Sequence, residues 1–330
     1  MEHYVTIFDS RFVLCGMALH ESLLAHCQPF TLWVVALDAA VGEQLSRLKL
    51  PSVQIIQLEE VENEALRSIK SGRTAGEYCW TLTPFLPRAV MKRAADATRV
   101  TYLDADLYFF APPKAIFDEL EVSGKKVLIT EHGYAPNYDR TLLSGRFCVQ
   151  FIVFSADARS AAVLAWWQKK CLEWCFARHE DGKFGDQKYL DVWPEIFGDC
   201  VHVLKQWGCT LAPWNVDARI DLDGRGMVFY HFQGFRILSP TRVKLYHGYR
   251  VSSRSRWVYR QYAQSIETAA RTLVEAGYVV PVMPEHTQKF KAFKYFIMTV
   301  LGYIRFTRLS VALGHTRTGE AIDTARAGWK

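Results

Sequence analysis

Val100-Thr-Tyr-Leu-Asp-Ala-Asp-Leu-Tyr-Phe-Phe110 is the stretch that decides the architecture. An apolar run, Val100–Leu103, ends in two carboxylates, Asp104 and Asp106, and Pro112-Pro113 follows shortly after. A short β-prone run that stops at acidic residues reads as a buried strand. Residues two apart in an extended chain point the same way, so both carboxylates can face one point. In open α/β sheets ligands collect beyond the carboxyl ends of the strands, where this pair falls. Two hard oxygen donors at that place suit Mg²⁺ or Mn²⁺ bridging a diphosphate. Such an ion would neutralise charge building on a leaving group. A turn or a cap is the plain alternative for Asp-x-Asp; the strand before it and the prolines beyond it favour the metal.

Outward from this stretch the chain alternates short β-type runs with helical patterns. Strands are expected at Tyr4–Phe8, Phe30–Leu37 and Val53–Leu58. Helices are expected near 14–26, 42–48, 60–70 and 85–94. Further strands are read at Val127–Thr130, Phe147–Phe154, Val201–Leu204 and Met227–Tyr230, with a long helix over Asp157–Phe176 capped by Ser155 or Asp157. Strands separated by helices imply βαβ units, hence an α/β fold with a mainly parallel sheet flanked by helices. The rhythm fades after Pro240, so a main domain over 1–240 and an extension over 241–330 are expected.

The chain has 330 residues, half of them hydrophobic, enough for a sizeable core. Met1–Asp9 lacks the features of a secretion signal, and no stretch of about 18 uncharged apolar residues reads as a membrane span. The eight cysteines lack zinc-site spacing and disulfide-scaffold density. Cys171 and Cys175, four apart beside Trp167 and Trp174, read as small buried residues. A reducing, cytoplasmic setting fits this usage.

Net charge is +6, and residues 287–330 alone carry eight Lys/Arg against Glu320 and Asp323. A second run, Gly224–Ile266, has eight Lys/Arg and no acid. The basic character of the C-terminal third points to an anionic partner.

Five segments, in order, carry a resemblance. They are Phe8-Asp-Ser-Arg-Phe-Val-Leu14, Glu77-Tyr-Cys-Trp-Thr81, Tyr102-Leu-Asp-Ala-Asp106, Gly185-Asp-Gln-Lys-Tyr-Leu190 and His231-Phe-Gln-Gly234. With them the chain resembles glycosyltransferases of the GT-A fold, nearest the family-eight retaining hexosyltransferases and a related bacterial group. The resemblance implies a nucleoside-diphosphate sugar donor, UDP-sugar by preference, and a saccharide or lipid-linked acceptor. It implies that Asp9 contacts the nucleobase or ribose, with Arg11 beside it in the donor site; a turn-forming Asp9 is the alternative. It makes Asp104, Asp106 and His231 the metal ligands, Asp104 also lying near the ribose. The neutral imidazole suits Mn²⁺ better than Mg²⁺, and a packed core histidine is the alternative. Gly234 follows at the expected spacing and belongs to the donor site. Asp186 and Gln187 fall where the family places catalytic groups beside the transferred sugar, though Asp186 can also cap a helix. Glu131 and His132 follow a strand and can reach sugar or acceptor.

Two departures stand out. Family members carry Asn and Gly where this chain has Cys148 and Gln150, so a poor hydrogen-bonding thiol and extra bulk are expected in the sugar pocket. The Lys-Pro-Trp that often follows His-x-x-Gly is replaced by Phe235-Arg-Ile-Leu, and Arg236 stands in as a diphosphate contact, displaced by one residue.

In the extension, Lys291, Lys294, Arg305 and Arg308 fall on one side of a helix placed over 290–309, beside Phe293, Phe296, Ile297, Val300 and Ile304. That describes a helix lying in the plane of an anionic membrane, hence a peripheral protein at the inner face of the cell membrane. Docking of the apolar face on the main domain is the alternative. Aromatics among the basic residues of His247–Trp257 raise nucleic-acid binding, but no nucleic-acid module is present and that partner is not expected. Two other readings are a sugar nucleotidyltransferase, which would want a Gly-rich loop after the first strand that Phe8–Cys15 lacks, and a degenerate, non-catalytic, membrane-associated binding protein.

Overall fold

The structure is a computed structural model and describes residues 1–220, 226–283 and 292–309. A seven-stranded sheet forms its centre, in the order β3-β2-β1-β4-β7-β6-β8. The strands are β1 (Glu2–Phe8), β2 (Phe30–Ala36), β3 (Val53–Gln57), β4 (Arg99–Leu103), β6 (Val127–Glu131), β7 (Phe147–Ser155) and β8 (Val201–Val203). The pairs β1–β2, β2–β3, β1–β4 and β6–β8 are parallel, whereas β7 runs antiparallel to both β4 and β6. The sheet is therefore mainly parallel, as expected.

Two buried cores lie on its faces, and the two-residue period of the strands divides the side chains between them. Tyr4 and Phe8 of β1 and Phe151 and Val153 of β7 pack on one side, with helix Val13–His26. Val5, Ile7, Ile152 and Phe154 pack on the other, with Trp167 of helix Ala158–Glu173. Asp157 caps that helix by accepting from the Arg159 backbone N–H at 2.8 Å. All eight cysteines are free thiols.

Strand order reverses direction between β1 and β4, which places a topological switch point at their carboxyl ends. A smaller sheet, β5 (Leu107–Phe109), β10 (Phe229–His231) and β9 (Thr210–Leu211), lies there. A third sheet joins β11 (Arg236–Ser239), β12 (Arg242–His247) and β13 (Ile304–Arg308). Helix Trp257–Glu275 packs on helix Val13–His26. Its Tyr259, Tyr262, Ile266 and Leu273 enter the same core as Tyr4, so one core draws on both sides of residue 240.

The single helix expected over 290–309 is corrected. A helix covers Ala292–Val300, the chain turns through Gly302 at a φ of 81°, and Ile304–Arg308 is a strand. Arg305 and Arg308 therefore sit on β13, antiparallel to β12, with Arg308 opposite Arg242. They do not share a helix face with Lys294, and Lys291 lies outside the described residues. The alternation Ile-Arg-Phe-Thr-Arg satisfies a two-residue period, and pairing with β12 decides for the strand.

Candidate active site

At the switch point β4 hands over to Asp104, and β5 begins just after Asp106. β10 pairs antiparallel with β5, setting His231 opposite Leu107, and the Phe232 N–H donates to the Asp106 carbonyl at 2.9 Å. This register carries His231, more than 120 residues away in sequence, to the acidic pair. Its Nε2 lies 3.1 Å from Asp106 Oδ1 and 3.7 Å from Asp104 Oδ2. One ligand atom from each of the three lies within 4.8 Å of the others. Tyr102 Oη donates to Asp104 Oδ1 at 2.8 Å, leaving Oδ2 toward the histidine.

The electrostatics follow from crowding acids in a buried place. Burial pushes the Asp104 carboxyl up to about 7; Asp106 adds to the shift and His231 opposes it. Burial also works against ionised Asp106, but the charge of His231 and its hydrogen bond outweigh it and hold Asp106 below the usual carboxylate range. For His231 burial opposes the charged form, yet Asp106 holds the imidazolium well above its ordinary value. Two oxygen donors and a borderline nitrogen that are balanced by a proton fit a divalent cation in the proton's place.

The three residues line a cavity of about 620 Å³. Asp9, Arg11, Gly234, Arg236, Asp186 and Gln187 border it as well. Asp9 is engaged by its neighbour, accepting from the Arg11 backbone N–H at 3.0 Å and from its guanidinium Nε at 2.7 Å. Gly234 has a φ of 84°, a left-handed conformation that glycine adopts freely. Arg236 begins β11, donates to the Phe235 carbonyl at 2.6 Å and lies over the Phe12 ring.

Asp186 precedes a 3₁₀ turn, Gln187–Val192, but its side chain makes no capping bond. Its carbonyl instead accepts from Trp167 Nε1 at 2.9 Å, and burial raises its carboxyl well above the usual range. Gln187 Nε2 donates to the Ser144 carbonyl at 2.6 Å. Glu131 does not border the cavity: it pairs with Arg146 at 2.6 Å, whereas His132 does border it.

Cys148 lies in the cavity wall. Burial would raise its thiol, but the His132 and His231 imidazoles outweigh that and bring it down to about 6. Gln150 is a correction. It is 2% exposed and lies outside the cavity lining, so its bulk does not enter the cavity. Its Oε1 meets His231 Nδ1 at 2.8 Å instead.

An aromatic wall of the cavity was not foreseen from the sequence. Tyr134 stacks on His132 with centroids 4.7 Å apart, and Trp214 stands edge-on to His231 at 5.6 Å, with Tyr249 next to it. Trp214 Nε1 is tied to the His132 carbonyl at 2.7 Å. No spacing rule relates these residues in the sequence; only the fold collects them.

No family model matches the chain. YfnD of Bacillus subtilis (strain 168), an uncharacterized protein, is 33% identical over 282 residues, covering 80% of this chain and 88% of YfnD. YfnF of the same organism, also uncharacterized, is 32% identical over 259 residues, covering 74% of this chain and 85% of YfnF. The chain belongs to the YfnD/YfnF family. Among solved structures, the galactosyltransferase LgtC in complex with donor and acceptor sugar analogs matches with a TM-score of 0.51 at 11% identity, over 81% of this chain and 95% of that one. This member of the YfnD/YfnF family thus has the GT-A glycosyltransferase fold, and its candidate metal triad sits at the switch point of that fold.

Proposed function

We infer that the chain is a metal-dependent glycosyltransferase that moves a hexose from a nucleoside-diphosphate sugar, by preference a UDP-sugar, to a saccharide or lipid-linked saccharide, with retention of configuration. The observation that carries this reading is the meeting of Asp104, Asp106 and His231 on the floor of the cavity. Those three residues would hold Mn²⁺ or Mg²⁺, which when bound supplies Lewis-acid stabilisation of a leaving diphosphate. Asp9 and Arg11 would border the nucleoside and Arg236 the diphosphate. Asp186 and Gln187 would face the sugar on the side of helix Ala158–Glu173, and the aromatic wall of Tyr134, Trp214 and Tyr249 would exclude water and receive the acceptor. LgtC, solved with donor and acceptor analogs, supports the assignment of one cavity to both substrates.

The test is incubation with a panel of nucleotide sugars and Mn²⁺, following nucleoside diphosphate release. The reading predicts release with at least one donor and its loss in Asp104→Ala/Asp106→Ala. A folded wild-type protein that binds no nucleotide in a metal-dependent way would support the degenerate, non-catalytic reading instead.

The acceptor side reaches toward a membrane in this reading, with residues 1–240 carrying the donor site and 241–330 the membrane contact. No helix among the described residues is long and apolar enough to cross a bilayer. Phe296, Val300 and Leu301 are exposed, and the β12–β13 sheet next to their helix displays Arg242, Arg305 and Arg308. Exposed apolar side chains flanked by cations suit the surface of an anionic bilayer, and the proposed place is the cytoplasmic face.

A further inference from the structure

Gln150 touches both halves of the candidate metal site. It lies in β7 against the end of β4, and its backbone carbonyl accepts from the Asp104 N–H at 2.9 Å. Its side-chain Oε1 lies 2.8 Å from His231 Nδ1, and its Nε2 donates to Thr130 Oγ1 at 3.4 Å. Gln150, Thr130 and His231 are all buried, so the amide cannot exchange this partner for water at no loss. An amide oxygen only accepts, so Nδ1 must carry the hydrogen of that bond. In the neutral ring the lone pair is then on Nε2, the nitrogen 3.1 Å from Asp106 and 3.7 Å from Asp104. The same amide orientation also serves the imidazolium. A cation at Nε2 therefore calls for no rearrangement of Gln150. Trp214 packs against the ring from another side, at an interplanar angle of 84°.

We propose that Gln150 is a positioning residue that holds His231 as the Nδ1–H tautomer, with its ring plane set, so that Nε2 coordinates a divalent cation together with Asp104 and Asp106. A hydrogen-bond acceptor behind a metal-binding imidazole fixes its tautomer and raises its basicity. Here an uncharged amide does so from within the sheet, at a position where glycine would leave Nδ1 without a partner. The proposal rests on the metal-site reading given under the proposed function.

Manganese binding to the intact chain tests it without reference to turnover. Free Mn²⁺ is titrated by electron paramagnetic resonance, and the ¹⁴N modulation of the bound ion reports the imidazole. Gln150→Leu, which has no acceptor, and Gln150→Asn, one methylene short, are expected to weaken Mn²⁺ binding roughly 10–100-fold and to reduce the ¹⁴N signal. Gln150→Glu restores the acceptor and is expected to stay within a few-fold of wild type. Asp104→Asn/Asp106→Asn serves as the control for the site. Wild-type affinity and ¹⁴N coupling in both Gln150→Leu and Gln150→Asn would overturn the positioning role while leaving the metal site standing. Absence of Mn²⁺ binding in the wild type would overturn both. Should Gln150→Leu unfold, the contrast between Asn and Glu at this position decides.

Discussion

His231 and Asp104 both hold their protons to higher pH than usual, so pH should control how readily a cation enters. Asp104 is raised to about 7, chiefly by burial, and His231 is held well above its ordinary value by Asp106 against burial. A cation requires both groups deprotonated, so it competes with protons and its affinity must rise with pH. Below about pH 7 the Mn²⁺ dissociation constant should fall by about tenfold for each pH unit and each proton displaced, and the Asp104 contribution should fade between pH 7 and 8 as that carboxyl ionises on its own. Calorimetric titration in two buffers of different ionisation enthalpy checks this, since proton release on binding appears as a buffer-dependent heat. Affinity that is flat across this range would contradict the arrangement.

The acidic pair was legible in the sequence for a local reason, a strand ending in two acids, whereas His231 entered only through the resemblance of His231-Phe-Gln-Gly234 to the family motif. Gln150 was misread because its partner is far away in sequence. A glutamine seen alone counts as added bulk, and only the β7–β4 pairing and the fold of β10 bring His231 to it. Arg11 was read as a companion of Asp9 in the donor site, but their mutual pairing was not foreseen.

At the scale of elements, the site depends on β10 keeping its register with β5, and the chain must then leave β10 sharply for β11. Gly234 makes that turn at a φ of 84°, and a Cβ there would meet the His247 backbone nitrogen at 3.3 Å. Gly234→Ala is expected to destabilise the fold by about 1–3 kcal/mol, from a left-handed backbone and a tight contact. Urea unfolding should show this as a lower midpoint with an unchanged slope; a midpoint equal to wild type would show that the turn relaxes freely. Most strands and the long helix over Ala158–Glu173 were legible because their periods are strong. The stretch near 304–308 was not, because arginines three apart share a helix face, and only pairing with β12 reveals the strand.

At the scale of the whole molecule, charge and exposed apolar surface converge on the C-terminal sheet and helix, on chain that continues beyond the donor-site motifs. Deleting this region would remove β13 from its sheet, so point substitutions are the cleaner probe. Phe296→Glu/Val300→Glu should abolish co-sedimentation with phosphatidylglycerol vesicles while leaving metal binding unchanged. Equal sedimentation of the variant and the wild type would exclude this face as the membrane contact.

In the proposed function Asp104, Asp106 and His231 bind one divalent cation at a nucleotide site. Anomalous diffraction from crystals grown with MnCl₂ and UDP tests it most directly. A manganese peak is expected within bonding distance of Asp104, Asp106 and His231 Nε2, with the diphosphate on its open side toward Arg236. A nucleotide bound in the cavity with no peak there, or a peak elsewhere while His231 still pairs with Asp106, would contradict it.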